Sequence, residues 1–162
     1  MWSSEEKGLI VSTSVIANAP VAFEIVDDLL TKTGNRMAEN DFDSFAECIA
    51  LPYVVETFEG ELRVTNLDMM RRMFDHNVAY YRQTGIRRIE RRCKMAEYQR
   101  HDHIACTYET MLIDAEDQMV RAPYVAYCML RNIEGVWLAT HAQYAIADSS
   151  DHCSALVMTL KG

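Results

Sequence analysis

The stretch Tyr124-Val125-Ala126-Tyr127-Cys128-Met129-Leu130-Arg131-Asn132-Ile133-Glu134-Gly135-Val136-Trp137-Leu138-Ala139-Thr140-His141-Ala142-Gln143-Tyr144 holds two runs rich in aromatic and branched residues on either side of Glu134-Gly135. A glycine-containing pair between two such runs marks a β-hairpin. Pairing Ile133 with Val136 would set Cys128 opposite His141 and Ala126 opposite Gln143, on one side of the sheet. The other side would then carry Val125, Tyr127, Met129, Leu138, Ala142, Tyr144 and Ile146.

Outward from this hairpin, residues 86–98 and 103–113 also read as strands, separated by turn-like Gln99 to Asp102 and followed by Asp114 to Gln118. With strands over 123–133 and 136–147 they predict a four-stranded antiparallel meander. Upstream, Gly85 sits where a helix ends, after Leu67, Met70, Phe74, Val78 and Tyr81 recur at helical spacing from Asn66 onward. A shorter hairpin is expected over 53–57 and 61–65, turning at Glu59-Gly60. Two more helices precede it. The first spans 20–39 on the stripe Ala22, Val26, Leu29, Leu30, Thr33 and Met37, with Gly34-Asn35 able to kink it or end it early. The second spans 43–50, with Ser44 and Glu47 at capping-box spacing. Helices followed by long strands imply an α+β fold, a curved antiparallel sheet with about three N-terminal helices on its concave face.

The chain has 162 residues, a length that fits one domain with one core. Residues 1–19 and 149–162 read as tails around a domain over 20–148. A net charge of −8 disfavours a phosphate backbone as partner, so no nucleic acid is expected. No run reaches the ~20 apolar residues of a membrane span. The five cysteines form no paired spacing, as in a reduced, cytoplasmic chain. Gly8 to Ala19 ends in a cleavage-like Ala17-Asn18-Ala19. Its flank carries Glu5 and Glu6 against one Lys7, the wrong sign for an export signal.

Asp41-Phe42-Asp43-Ser44-Phe45 after the first helix, Leu51-Pro52-Tyr53 beyond the second, and Gly135-Val136-Trp137-Leu138-Ala139 opening the last strand resemble, in order and spacing, the nuclear transport factor 2-like superfamily with its SnoaL-like and ketosteroid-isomerase-like domains. The resemblance covers about 20–147. It implies a cone-shaped α+β fold, a homodimer packed through the sheet, and a pocket between helices and concave sheet. It does not imply one activity, since relatives include isomerases, dehydratases, polyketide cyclases, epoxide hydrolases and non-enzymatic adaptors. The catalytic Asp and Tyr patterns of the characterised isomerases have no residue-by-residue match, and the first pocket strand offers Glu56 in place of an Asp base.

Several residues could carry chemistry in such a pocket. Glu109, between Tyr108 and Thr110 in a strand of low charge, would gain a raised pKa if buried and could act as general base. Cys128 beside His141 has the atom types of a nucleophile and its base, although a buried free cysteine is usually a small hydrophobe. Within the basic cluster, Arg88, Arg92 and Lys94 share the outer side of their strand with Glu90. Arg91 points the other way with Cys93 and Met95, either to anchor an anionic group or to pair with Glu109. His101-Asp102-His103 and His152-Cys153 are too thin for a metal site, so neither metal nor cofactor is expected. The leading expectation is a pocket for a small, largely apolar ligand, lined by some of Tyr53, Tyr81, Arg91, Glu109, Tyr127 and His141. The other readings are acid/base isomerisation, dehydration or cyclisation through Glu109 or His141, and a protein-interaction module without a pocket.

Overall fold

The structure, a computed structural model, describes residues 21–145. The cleavage-like segment, His152-Cys153 and both tails lie outside them. Helix α1 (Ala22–Ala38) buries the stripe Ala22, Val26, Leu29, Leu30, Thr33 and Met37 that its spacing predicts. Gly34 neither ends nor breaks it. A Cβ on Gly34 would stand 3.0 Å from the Ile89 carbonyl oxygen and 3.8 Å from Arg91 Cδ, so the glycine lets this helix lie against the third strand. That close contact offsets the ~1 kcal/mol that glycine costs inside a helix. Asn40, at φ 58°, turns the chain after the helix.

The short helix α2 (Phe42–Ala46) begins earlier than the expected 43 and stops well before 50. Its cap is Asp41, whose Oδ1 accepts from the Ser44 amide at 3.2 Å, so Ser44 is the capped residue and not the cap. Strand β1 (Ile49–Thr57) therefore starts four residues before the expected Tyr53 and contains Pro52. The proline, after a cis peptide bond, falls where the pairing of β1 is irregular, so its missing N–H breaks no ladder. Strand β2 (Gly60–Val64) completes the first hairpin. Helix α3 (Leu67–Gln83) is capped by Asn66 Oδ1, which accepts from the Met69 amide at 2.9 Å. It buries Met70, Phe74, Val78 and Tyr81, while Leu67 at its start stays exposed.

The meander follows as β3 (Ile86–Arg100), β4 (His103–Asp114), β5 (Tyr124–Ile133) and β6 (Val136–Ala145). All six strands form one sheet in the order β2-β1-β6-β5-β4-β3. Only β1 against β6 is parallel, joining the early hairpin to the end of the meander. The helices cover one face and the core lies between them and the sheet. No helix among the described residues is long and apolar enough to cross a membrane.

Two bulges decide which residues face the helices. Ile133 pairs with Val136 as the turn requires, and Glu134 and Gly135 take the two positive φ values of a type I′ turn. The ladder then slips by one residue at Thr140, so that Leu130 pairs with Ala139 but Met129 pairs with His141. Cys128 consequently faces Ala142, and Ala126 faces Tyr144. The expected Cys128–His141 and Ala126–Gln143 pairings are wrong, because one extra residue moves every later side chain to the opposite face. A second slip, between Cys93 and Met95, turns Met95 outward, contrary to the simple alternation that placed it beside Arg91.

Candidate functional site

The side chains that alternate inward from β3 to β6 and β1 meet α1 and α3 around a cavity of about 40 Å³. Leu29, Leu30, Phe45, Ile49, Val55, Ala139 and Ala142 make much of its wall apolar. Met37 from α1 and Met73 from α3 also line it, and thioether chains of this kind repack readily. The polar groups of the wall are Thr33, Asn77, Arg91, Cys128 and four tyrosines, Tyr53, Tyr81, Tyr108 and Tyr144. Apart from Arg91, which keeps partial exposure, all the lining residues are buried.

Arg91 reaches the cavity because Ile89, Arg91 and Cys93 alternate onto the helix-facing side of β3, where they pair with Leu112, Thr110 and Tyr108. Its guanidinium donates to Thr33 Oγ1 at 2.8 Å and touches Met37 Sδ at 3.7 Å. It also lies 5.9 Å from the Tyr108 ring centroid, within cation–π range. Nε is sealed from solvent and has no hydrogen-bond partner. Burial works against the charge, but the tyrosine oxygens around it, Tyr108 foremost, more than offset that, and the Arg91 pKa rises above its ordinary value. The residue is a permanent cation.

Tyr53, Tyr81, Tyr108 and Tyr124 stay neutral for the complementary reason. Burial pushes Tyr53, Tyr108 and Tyr124 well above the usual phenol range and raises Tyr81 as well. Tyr53 interacts with Tyr144, and Tyr81 with Tyr124. Such phenols are O–H donors at neutral pH. Because their folded pKa values lie above the unfolded value near 10, their contribution to stability is complete below about pH 10 and declines as the pH rises beyond it. Urea unfolding should therefore show a marked fall in stability as the pH rises from about 10 to about 12, and a flat profile there would contradict this burial.

Asn77 adds an acceptor. It lies on the inner side of α3, 1% exposed, with its amide nitrogen donating to the Met73 carbonyl at 2.8 Å and its Oδ1 without a partner.

Of the residues singled out from the sequence, the fold brings Tyr53, Tyr81 and Arg91 together on this cavity. It places Glu109, Tyr127 and His141 on the opposite face of the sheet. Strict alternation along β4 turns Tyr108 and Thr110 inward and Glu109 outward, where its carboxylate lies 3.9 Å from Lys94 Nζ. The expected buried Arg91–Glu109 pair is thus absent. Tyr127 is exposed between inward Ala126 and Cys128. His141 Nε2 lies 3.4 Å from Glu56 on the neighbouring strand, well away from the Cys128 side. Cys128 does border the cavity, next to Cys106 across the ladder, and both thiols are buried. Outside the cone, Arg88 pairs with Glu90 and Asp117 at 2.9 and 2.6 Å. His103 Nδ1 is hydrogen-bonded to Asp102 at 2.8 Å.

Thr33, Met37, Asn77, Tyr108 and Tyr144 were not among the candidates read from the sequence. Thr33 was visible on the α1 stripe and Tyr108 as the inward neighbour of Glu109. The clue to Tyr144 was Thr140-His141, two consecutive polar residues that interrupt the alternation of β6 and mark the bulge.

No protein-family model and no curated protein matches the chain. Solved structures do match. A protein of unknown function with a cystatin-like fold from Nostoc punctiforme aligns over 81% of this chain and 96% of its own, at 15% identity and a TM-score of 0.60. An NTF2-like protein with a cystatin-like fold from Novosphingobium aromaticivorans aligns over 93% and 95%, at 12% identity and 0.62. Aln2 from a Streptomyces species aligns over 79% and 94%, at 13% identity and 0.60. The chain has the α+β cone of the nuclear transport factor 2-like, or cystatin-like, fold. At this level of identity the likeness concerns the fold.

Proposed function

We propose that the cone binds a small, largely apolar molecule between the helices and the concave sheet. The observation that carries this reading is the concentration of unspent polarity in an otherwise apolar cavity. Both Arg91 Nε and Asn77 Oδ1 are buried without a partner on residues that line it. Buried polar atoms are almost always satisfied in native proteins, and unsatisfied ones cost about 1–3 kcal/mol each. A ligand supplying the missing hydrogen bonds would recover that cost. Apolar walls with a few convergent polar groups are the usual make-up of a small-molecule site.

At about 40 Å³ the cavity has room for about three waters. A ring-sized ligand would enter by displacing Met37 and Met73, the flexible members of the wall. Their methyl groups provide the test. Addition of small aromatic and branched aliphatic molecules should shift the Met37 and Met73 methyl NMR signals. The shifts should be lost in Ala142→Leu, which fills the cavity from β6. If no compound perturbs those methyls, or if a folded Ala142→Leu binds as well as the parent, the reading fails.

Acid/base catalysis through Glu109 or His141 draws no support from the geometry, because both side chains lie across the sheet from the cavity. Among the described residues, no carboxylate or imidazole lines the cone.

A further inference from the structure

We infer that the ligand of the cone is an anion, a compact apolar monocarboxylate whose head group is held by Arg91 and whose body lies among the tyrosine rings and methionines. This rests on the reading of the cone as a small-molecule site and specifies the chemistry of its occupant.

The argument starts from charge balance. A largely buried cation is costly in proportion to its burial unless an opposite charge or several hydrogen bonds compensate it. Every other arginine or lysine in the ion pairs described here meets its carboxylate at the surface, including Arg88 and Arg92 on the same strand. Arg91 has no ion pair among the described residues. Its neighbours are a hydroxyl, a thioether and phenols, all neutral, and one guanidinium N–H is left without an acceptor. A planar fork of donors with a free position suits a carboxylate, which accepts two parallel N–H bonds.

The surroundings favour the same sign. Phenols that remain protonated can donate to an anion, and no carboxylate of the wall would repel it. Next to the cone, a crevice lined by Arg82, Arg87, Val78, Ile86 and others shares Met37 and Tyr81 with it. Movement of these two side chains would open the cavity toward a positively charged crevice. The net charge of −8 does not oppose this, because charges more than about 8 Å away are largely screened at physiological salt. The apolar share of the wall and the small volume select against polyanions and sugar phosphates, whose polar atoms would find too few partners.

The test is calorimetric titration with two matched pairs, isobutyrate against isobutyramide and benzoate against benzamide, on the wild type and on Arg91→Met. The wild type should bind at least one acid about tenfold to a hundredfold more tightly than its amide, the difference a charge-assisted hydrogen bond makes. Arg91→Met should lose that preference, binding each acid no more tightly than its amide. Equal affinities in the wild type, or a preference that survives in Arg91→Met, would overturn the anion assignment and leave the apolar cavity standing. Failure of all four compounds to bind the wild type would remove both. Should Arg91→Met not fold, the wild-type Arg91 Nε–H resonance decides: a downfield shift with the acid alone supports the assignment, and no difference from the amide refutes it.

Discussion

Replacing Arg91 by methionine should make the empty protein more stable in urea unfolding, by up to the about 1–3 kcal/mol that one unsatisfied buried donor costs, while abolishing discrimination for acids. The guanidinium is only partly exposed, has no carboxylate partner among the described residues, and leaves its buried Nε unsatisfied. Methionine is close to the arginine stem in shape and would fill the same passage beside Gly34 without bringing a charge. Little is lost in exchange. Thr33 Oγ1 retains its own hydrogen bond to the Leu30 carbonyl at 3.1 Å when the guanidinium is gone. The contact with the Tyr108 ring, at 5.9 Å to the centroid, is a long one. A residue that lowers the stability of its own fold is characteristic of binding sites, where function and stability compete. A clear loss of stability in Arg91→Met would instead make Arg91 a structural element of the core, and the case for a ligand would lose its main support.

Phe74→Ala should be the most damaging simple truncation, costing about 3–5 kcal/mol and leaving little of a total that is typically 5–15 kcal/mol. Phe74 is fully buried on α3. Its ring packs against Phe42 and Phe45 at centroid separations of 5.5 and 5.1 Å. These contacts tie the five-residue α2, too short to persist alone, to the rest of the helical layer. Phe45 itself lines the cavity. Loss of the Phe74 ring should therefore loosen the wall as well as the core, and a urea midpoint change worth less than about 1 kcal/mol would show that α2 is held by other contacts. Phe74→Leu, which keeps most of the volume, should cost much less.

The two substitutions act on opposite sides of one design. Phe74 belongs to a packed layer whose every contact favours folding, whereas Arg91 lies in the one described cavity wall where polarity and burial conflict. Sequence reading separates them only in part. The apolar spacing of α3 identifies Phe74 as core without any structure. For Arg91, strand alternation gives the direction of the side chain, inward with Cys93, and nothing more. That it meets no carboxylate there depends on Glu109 facing the other way, which the alternation Tyr108, Glu109, Thr110 allows but which requires the burial pattern of β4 to establish.

Local chemistry in the sequence is sufficient for most of the elements, though not for the end of α2 or the start of β1. Helical stripes on α1 and α3, the Asn66 cap, and turns at Gly60, Gly85 and Gly135 with positive φ all follow from side-chain periodicity and from backbone conformations that glycine adopts most easily. The α+β class and the curved sheet follow from their order, and the cone is what the resemblance implies. Tertiary structure alone decided the site. The parallel pairing of β1 with β6 joins residues 87 to 90 positions apart, beyond any local signal. A single extra residue at Thr140 sends His141 to the outer face with Glu56 and brings Ala142 and Tyr144 to the cavity with Cys128. The reason is geometric: side chains on a strand alternate with period two, so one bulge reverses every later assignment, and a bulge is settled by how whole strands pack.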